Sequence, residues 1–212
     1  MQANDSGGKV VKGFRVLAGL IEEVEAKGEL FGVPPEAVLA VIVKESYGSQ
    51  WFCKCDAQYR DNMRTAKAFT EKTEAQILDA ITVRRGPNKG NIPKFRYEPS
   101  WSAKATALSR RTNNAALWKL RLNCSYGLGQ KGMVWHLAAK PIEEWEVAFW
   151  LFVESPHEQI KVCAHDLSIL RKQSPGDWHT VFTRYNAGPG KRGITTYSEK
   201  VVELMHQFST GR

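Results

Sequence analysis

The sequence predicts a mainly α-helical fold, and three observations support this. Apolar residues recur at near-helical spacing along most of the 212-residue chain. Glycine and proline stand together at 32–35, where one helix would end and the next begin. The best strand candidate is the short segment KFRYEP at 94–99. We therefore predict one mainly α domain over residues 1–212, with a long internal insertion over 51–122 that carries a small β element.

The elements follow from local signals in chain order. Residues 1–32 hold an N-terminal helix over 9–31, in which Val10, Phe14, Leu17 and Leu20 recur on one side and which Gly32 ends. Pro34-Pro35 opens a second helix that carries AVLAVIVKESY at 37–47. Helices are also predicted over 61–83 and 101–121 and near 128–139, 143–154, 157–172, 178–185 and 197–208, with turns at 85–93 and 186–193.

Composition and charge narrow the classes of protein. An apolar share of 42% and seven tryptophans are ample for a packed core. No apolar run approaches the roughly 18–20 residues that cross a bilayer, and the first 14 residues lack the pattern of a signal peptide. The net charge of +8 favours an anionic partner: nucleic acid, a membrane surface or a cell wall. No nucleic-acid-binding motif accompanies this charge.

The four cysteines do not have the spacing of a zinc site. A single residue separates Cys53 from Cys55, whereas the paired cysteines of zinc sites are usually separated by two to four residues. Cys124 and Cys163 lie far from this pair and from each other in the sequence. We predict no metal and no cofactor. Buried thiols are the default expectation, and one disulfide is the alternative in an oxidising compartment.

Glu45 is a candidate general acid. Ile42, Val41 and Val38 precede it by three, four and seven residues, so an apolar helical stripe ends in a carboxyl group. Desolvation there would raise the pKa of Glu45, as a general acid requires. The alternative is a structural glutamate that pairs with a buried arginine or caps a neighbouring element.

Two later stretches can hold a polar ligand. In CSYGLGQKG at 124–132, glycines allow close approach of the backbone, and Gln130 can bind a sugar amide or hydroxyl. In RYNAGPGKRG at 184–193, Tyr185 can reach the Glu45 carboxyl and Asn186 offers an amide. The alternative interpretation of each stretch, taken alone, is a helix-capping turn.

In this order, the three segments resemble the lytic transglycosylase family related to goose-type lysozyme. The matching segments are Glu45-Ser46, Gly127-Leu128-Gly129-Gln130 and Tyr185-Asn186-Ala187-Gly188, and Arg96-Tyr97-Glu98-Pro99 resembles an element of phage-type members. The resemblance covers roughly 33–50 and 122–205. Two residues depart from the pattern: Gly129 replaces a methionine, and Arg184 replaces a small residue.

The resemblance implies a lysozyme-like α-helical fold and a lyase that cleaves the β-1,4 bond between MurNAc and GlcNAc in peptidoglycan. Glu45 would act as general acid and then as base, Tyr185 would orient it, and the product would carry a 1,6-anhydro end. The other implied site residues line the sugar subsites: Ser46, Glu98, Tyr126, Gly127, Leu128, Gln130 and Asn186. Without a signal peptide, we expect synthesis in the cytoplasm and action in the periplasm or cell wall after delivery by a phage virion (tail or ejection apparatus) or a secretion system.

Three other readings stay open. A muramidase on the same fold would hydrolyse the bond, with Asp56, Asp61 or Glu98 positioning the water. A virion component could bind glycan without cleaving it. The third reading is a nucleic-acid binder, which the +8 charge alone supports.

Overall fold

The computed structural model describes residues 10–11, 14–15, 18–46 and 95–210. Over these residues the protein is mainly helical, with nine α-helices and two small antiparallel sheets, which confirms the predicted mainly α class. Contacts between Cα atoms divide the chain into two compact units, one of residues 1–49 with 155–212 and one of residues 50–154. The second unit includes the predicted insertion at 51–122. A single domain over 1–212 stays a prediction.

The first unit contains five of these helices. Its elements are β1 (Val10–Val11), β2 (Phe14–Arg15), α1 (Ala18–Phe31), α2 (Pro35–Ser46), α7 (Pro156–Gln173), α8 (Trp178–Ala187) and α9 (Thr196–Ser209). Strands β1 and β2 pair antiparallel, with Val11 opposite Phe14. Helix α2 packs mainly against α9, and α1 packs mainly against α7.

Helix α2 is the centre of the first unit. Every residue from Ala37 to Val43 is buried, so the helix is apolar on all sides and neighbouring helices surround it. Burying a valine, leucine or isoleucine side chain contributes about 1.5–3 kcal/mol each. The continuous burial is interrupted near the C-terminal end, where Lys44 is exposed and Glu45 is half-buried, before the buried Ser46.

Local signals set the helix ends in the first unit. Gly32 has φ of +64°, a conformation that suits glycine, and ends α1 as predicted. Asp177 caps α8, because its Oδ1 accepts a hydrogen bond of 2.9 Å from the N–H of Thr180. Thr195 and Ser198 form a capping box at the start of α9.

The second unit combines short helices with a three-stranded sheet. Its elements are β3 (Phe95–Tyr97), α3 (Ser102–Ser109), α4 (Ala115–Leu122), β4 (Cys124–Tyr126), β5 (Lys131–Gly132), α5 (Met133–Ala138) and α6 (Trp145–Glu154), with 3₁₀ turns at Pro99–Trp101 and Ile142–Glu144. The sheet order is β3-β4-β5, and both pairs are antiparallel. Strand β3 confirms the predicted β element within 94–99.

Three predicted helices have different boundaries in the structure. The helix over 9–31 begins only at Ala18, because residues 10–11 and 14–15 pair as strands. The helix over 101–121 is two helices, since Asn114 accepts a hydrogen bond from the N–H of Leu117 and starts α4. The helix near 128–139 starts at Met133, because residues 124–132 form a hairpin.

The remaining predictions divide into two groups. Helices near 143–154, 157–172, 178–185 and 197–208 are confirmed as α6, α7, α8 and α9, and α8 continues to Ala187. The predicted helix over 61–83 and turn at 85–93 lie outside the described residues. Within those residues, no helix is long and apolar enough to cross a membrane.

Candidate active site

Glu45 lies where the buried part of α2 ends. Ile42, Val41 and Val38, which share its helix face, are all buried, so the predicted apolar stripe is confirmed. Glu45 itself is half-buried. The next residue, Ser46, is buried, and its Oγ donates a hydrogen bond of 2.8 Å to the carbonyl of Ile42. Ser46 therefore stabilises the last turn of α2, which fixes the backbone that carries Glu45.

Tyr185 lies on α8 and reaches into the interior of the same unit. Its hydroxyl donates to Sγ of Cys163 on α7 across 3.6 Å. Burial raises the pKa of Tyr185 well above its ordinary value, and the nearby ionisable groups of Cys163, Asp166 and Tyr197 raise it further. The phenol therefore stays protonated at neutral pH, so it can donate a hydrogen bond and cannot serve as a base.

Tyr197 connects this cluster to the end of α2. It lies in the first turn of α9, where its ring centroid is 5.9 Å from Nζ of Lys44, the residue before Glu45. Tyr197 also contributes to the raised pKa of Tyr185. The end of α2, the start of α9 and Tyr185 on α8 are therefore neighbours within the first unit.

Asn186 follows Tyr185 and is exposed. Helix α8 ends one residue later at Ala187, and Gly188, with φ of +98°, turns the chain away. An exposed amide at a fixed helix end can bind a polar ligand without first losing internal hydrogen bonds. The contact between Asn186 and a substrate stays a prediction.

In the second unit, the side chain of Gln130 stabilises the turn in which it lies. Its Nε2 donates to the carbonyl of Gly127 across 3.0 Å, and its Oε1 accepts from Oγ of Ser125 across 3.1 Å. Gln130 also has φ of +48°, which costs a non-glycine residue roughly 1–2 kcal/mol. The predicted sugar contact of Gln130 is thus secondary to a structural role in the hairpin.

The neighbouring predicted residues are packed inside the second unit. Tyr126 and Leu128 are buried, and the Tyr126 ring meets Phe149 edge-on with 5.3 Å between ring centroids. Gly127 is also buried and has φ of +79°. Because these residues are buried as a whole, backbone included, the structure does not present them to a sugar, and their predicted contact stays a prediction.

Glu98 lies at the other end of the sheet from Gln130. Its N–H donates to the carbonyl of Asn123 across 2.7 Å, just before β4, whereas the turn with Gln130 follows β4. Gly127 lies four residues after Asn123, which corresponds to roughly 13 Å at the usual strand rise. The sheet therefore does not bring Glu98 together with the Gly127–Gln130 turn.

The structure groups the predicted residues by unit. Glu45, Ser46, Tyr185 and Asn186 belong to the first unit, and Glu98, Tyr126, Gly127, Leu128 and Gln130 belong to the second. Asp56 and Asp61 lie outside the described residues, as do Cys53 and Cys55. Cys124 and Cys163 are buried thiols, as expected by default. Among the residues that the structure describes, no cluster of three or more His, Cys, Asp or Glu side chains could hold a metal ion.

Sequence patterns did not point to three members of the first-unit cluster: Cys163, Asp166 and Tyr197. Cys163 and Asp166 share a face of α7 by their spacing of three residues, and Tyr197 lies four residues after Gly193, the last residue of the glycine-rich turn. These positions become informative only once α7, α8 and α9 are packed together.

Comparisons of the chain with family models, with curated proteins and with solved structures find no match in any of the three.

Proposed function

We propose that the protein is a peptidoglycan lytic transglycosylase that cleaves the β-1,4 bond between MurNAc and GlcNAc. One observation carries this proposal: a half-buried carboxyl, Glu45, lies in the last turn of a helix in which the seven consecutive residues Ala37–Val43 are all buried. A carboxyl at such a boundary can be partly desolvated and still meet a substrate. The order of the three sequence motifs adds to this support.

The proposed reaction needs a single carboxyl group. Glu45 protonates the leaving glycosidic oxygen and, as a carboxylate, then takes the proton from the C6 hydroxyl of MurNAc. That oxygen attacks the anomeric carbon, so the product ends in 1,6-anhydro-MurNAc and no water is consumed. Ordinary glycosidases use two carboxyl groups. The raised pKa of Glu45 that this scheme requires stays a prediction.

The other residues have supporting roles in this proposal. Tyr185 acts on Glu45 indirectly, through its neighbours Cys163 and Tyr197, of which Tyr197 contacts Lys44 beside Glu45. Asn186, which is exposed at the end of α8, contacts the glycan from the first unit, and Ser46 fixes the backbone that carries Glu45. The predicted sugar contacts of Gln130, Glu98 and residues 126–128 belong to the second unit and stay separate predictions. Delivery by a virion or a secretion system remains part of the proposal.

The decisive test is mass spectrometry of the soluble products from purified peptidoglycan. The wild type, Glu45→Gln and a matched control, Glu22→Gln at an exposed position of α1, are compared. We expect anhydro-MurNAc ends from the wild type and the control, and none from Glu45→Gln. Reducing MurNAc ends would instead identify a muramidase that uses water. A folded Glu45→Gln variant with normal activity would refute the role of Glu45.

A further inference from the structure

The loop between α8 and α9 carries two adjacent cations. It reads GPGKRG at 188–193, and both Lys191 and Arg192 are exposed. The chain has no acidic residue from 187 to 198, so no carboxylate within the loop offsets these charges. The loop begins directly after the end of α8, two residues beyond Asn186.

Buried threonines on α8 hold the far end of this loop. Oγ1 of Thr183 donates to the carbonyl of Gly193 across 2.8 Å, and Oγ1 of Thr180 accepts from the N–H of Gly193 across 3.2 Å. Thr183 also shares a hydrogen bond of 3.1 Å with Thr195, the cap of α9. Both threonines are buried, so water competes little for these bonds.

The Arg184 side chain fixes the middle of the loop through hydrogen bonds. Only 8% of this residue is exposed. Its Nε donates to the carbonyl of Lys191 across 3.1 Å, and its Nη1 donates to Oγ of Ser174 across 2.8 Å and toward the carbonyl of Gln173 across 3.5 Å. Arg184 thereby ties the loop to the turn before α8. These contacts also explain why this position has a long cationic side chain, whereas the transglycosylase pattern has a small residue there.

The loop is also bounded by residues of the candidate active site. Asn186 precedes it, and Tyr197, which contacts Lys44 beside Glu45, follows it. Tyr197 therefore links the end of this loop to the end of α2, beside the candidate acid. Because the backbone is already fixed, binding costs less conformational entropy than binding to a flexible loop.

We infer that the Gly188–Gly193 loop is a preformed cationic contact for anionic groups of the bacterial wall. This inference rests on the proposed function for its ligand. The shared chemistry is an oxyanion that Arg192 can bind in a bidentate manner and Lys191 as a point charge. Two sources in the wall supply it: the carboxylates of the stem peptides, and the phosphodiesters of attached wall polymers.

The test measures binding to insoluble wall by co-sedimentation at low salt. All proteins carry Glu45→Gln, so that the measurement does not depend on cleavage. The loop variant is Lys191→Gln with Arg192→Gln, and the matched control is Arg110→Gln with Arg111→Gln, two adjacent exposed cations of the second unit. We expect the loop variant to bind about fivefold or more weakly and the control to lose less than about twofold.

Chemical treatment of the wall identifies the source of the anion. Conversion of the carboxylates to amides with a carbodiimide should abolish the difference between parent and loop variant if carboxylates are the ligand. Treatment with hydrofluoric acid should abolish it if phosphodiesters are the ligand. Equal binding by the loop and control variants, or a difference that survives both treatments together, would overturn the inference.

The outcome is separable from that of the proposed function. Loop-dependent binding with no cleavage by the wild type would support the cationic contact and reject the transglycosylase. Anhydro products from the wild type with no loop dependence would do the reverse.

Discussion

Arg121 offers the sharpest test of the energetics of the second unit. Its side chain is 0% exposed, and its guanidinium carbon lies 4.6 Å from the ring centroid of Trp118 and 4.5 Å from that of Phe149. Nη1 and Nη2 donate to the two carboxylate oxygens of Glu146 across 2.5 and 3.3 Å. Aromatic rings thus surround a buried cation whose bidentate partner is Glu146.

Glu146→Gln removes the negative charge and keeps most of the shape. Breaking a fully buried ion pair by removing one partner costs about 3–5 kcal/mol, because the other charge stays buried without compensation. The Glu146 side chain is 54% exposed, so water screens part of the interaction. We therefore expect the free energy of unfolding to fall by about 2–3 kcal/mol.

The assay is urea unfolding followed by tryptophan fluorescence, for which Trp118 beside the pair is a reporter. Arg121→Met and the double variant complete a double-mutant cycle, since methionine can retain much of the packing against the rings. We expect a coupling energy of at least about 1 kcal/mol. Glu143→Gln, an exposed change in the same unit, should stay within about 0.5 kcal/mol of the wild type.

A coupling energy near zero would refute this reasoning. It would mean that the aromatic rings alone hold the guanidinium. A Glu146→Gln variant as stable as Glu143→Gln would lead to the same conclusion.

Three further predictions concern a close contact, a helix cap and a buried phenol. Gly132→Ala should lower the free energy of unfolding by about 1–3 kcal/mol, because its Cβ would lie 2.6 Å from Trp101 and 2.8 Å from Trp135. Gly190→Ala, at a position with open space, should change it by less than about 1 kcal/mol, as urea unfolding can show. Asp177→Ala should cost about 1 kcal/mol at pH 7. Hydrogen bonds from Thr180 lower the pKa of Asp177, so its contribution is present above the unfolded pKa of about 4 and is lost as the pH falls through the lower folded value. Tyr185→Phe should lower turnover less than Glu45→Gln does, and should leave the phenolate absorbance titration unchanged up to about pH 10.

Each of these has a result that contradicts it. Equal losses for Gly132→Ala and Gly190→Ala would reject the close contact at Gly132. The Asp177 prediction is rejected if the Ala variant and the wild type differ as much at pH 2 as at pH 7, with Asp177→Asn as the control that retains a capping oxygen. For Tyr185→Phe, the contrary result is a variant in which one tyrosine fewer than in the wild type titrates near the ordinary tyrosine pKa. That result would show that the phenol of Tyr185 is solvated.

Local sequence signals predicted α2 and its limits well. Gly32 at the end of α1, proline at the start of α2 and the apolar run from Ala37 to Val43 all act within a few residues of the structure they specify. Helix α9 was equally predictable, because polar and glycine-rich sequence precedes an amphipathic segment. The exposed position of Asn186 at the end of α8 also follows from the glycine after it.

Spacing alone failed where pairing partners decide the conformation. Val10 and Phe14 are four apart, as on a helix face, yet they belong to two short strands that pair with each other. Asn114 interrupts a helical pattern because its side chain competes for backbone hydrogen bonds. Gln130 takes a left-handed conformation that its own side chain stabilises, and no apolar periodicity encodes such a contact.

Only part of the candidate site could be predicted, because some of its residues are joined by helix packing and not by their neighbours in sequence. Glu45, Tyr185 and Asn186 stand out through their own neighbours in sequence. Cys163 and Tyr197 join Tyr185 only because α7, α8 and α9 pack against one another.

The burial of α2 also has a consequence for synthesis. Its main packing partner, α9, begins at Thr196, 150 residues after Ser46 (196 − 46). At about 5–20 residues per second, translation of that interval takes about 8–30 s. For that time the nascent chain carries a helix with seven consecutive apolar residues, Ala37–Val43, whose main packing partner has not yet been synthesised. We therefore expect the ribosome-bound chain to engage chaperones through residues 37–43, and the proposed acid at Glu45 to be assembled only when synthesis is nearly finished.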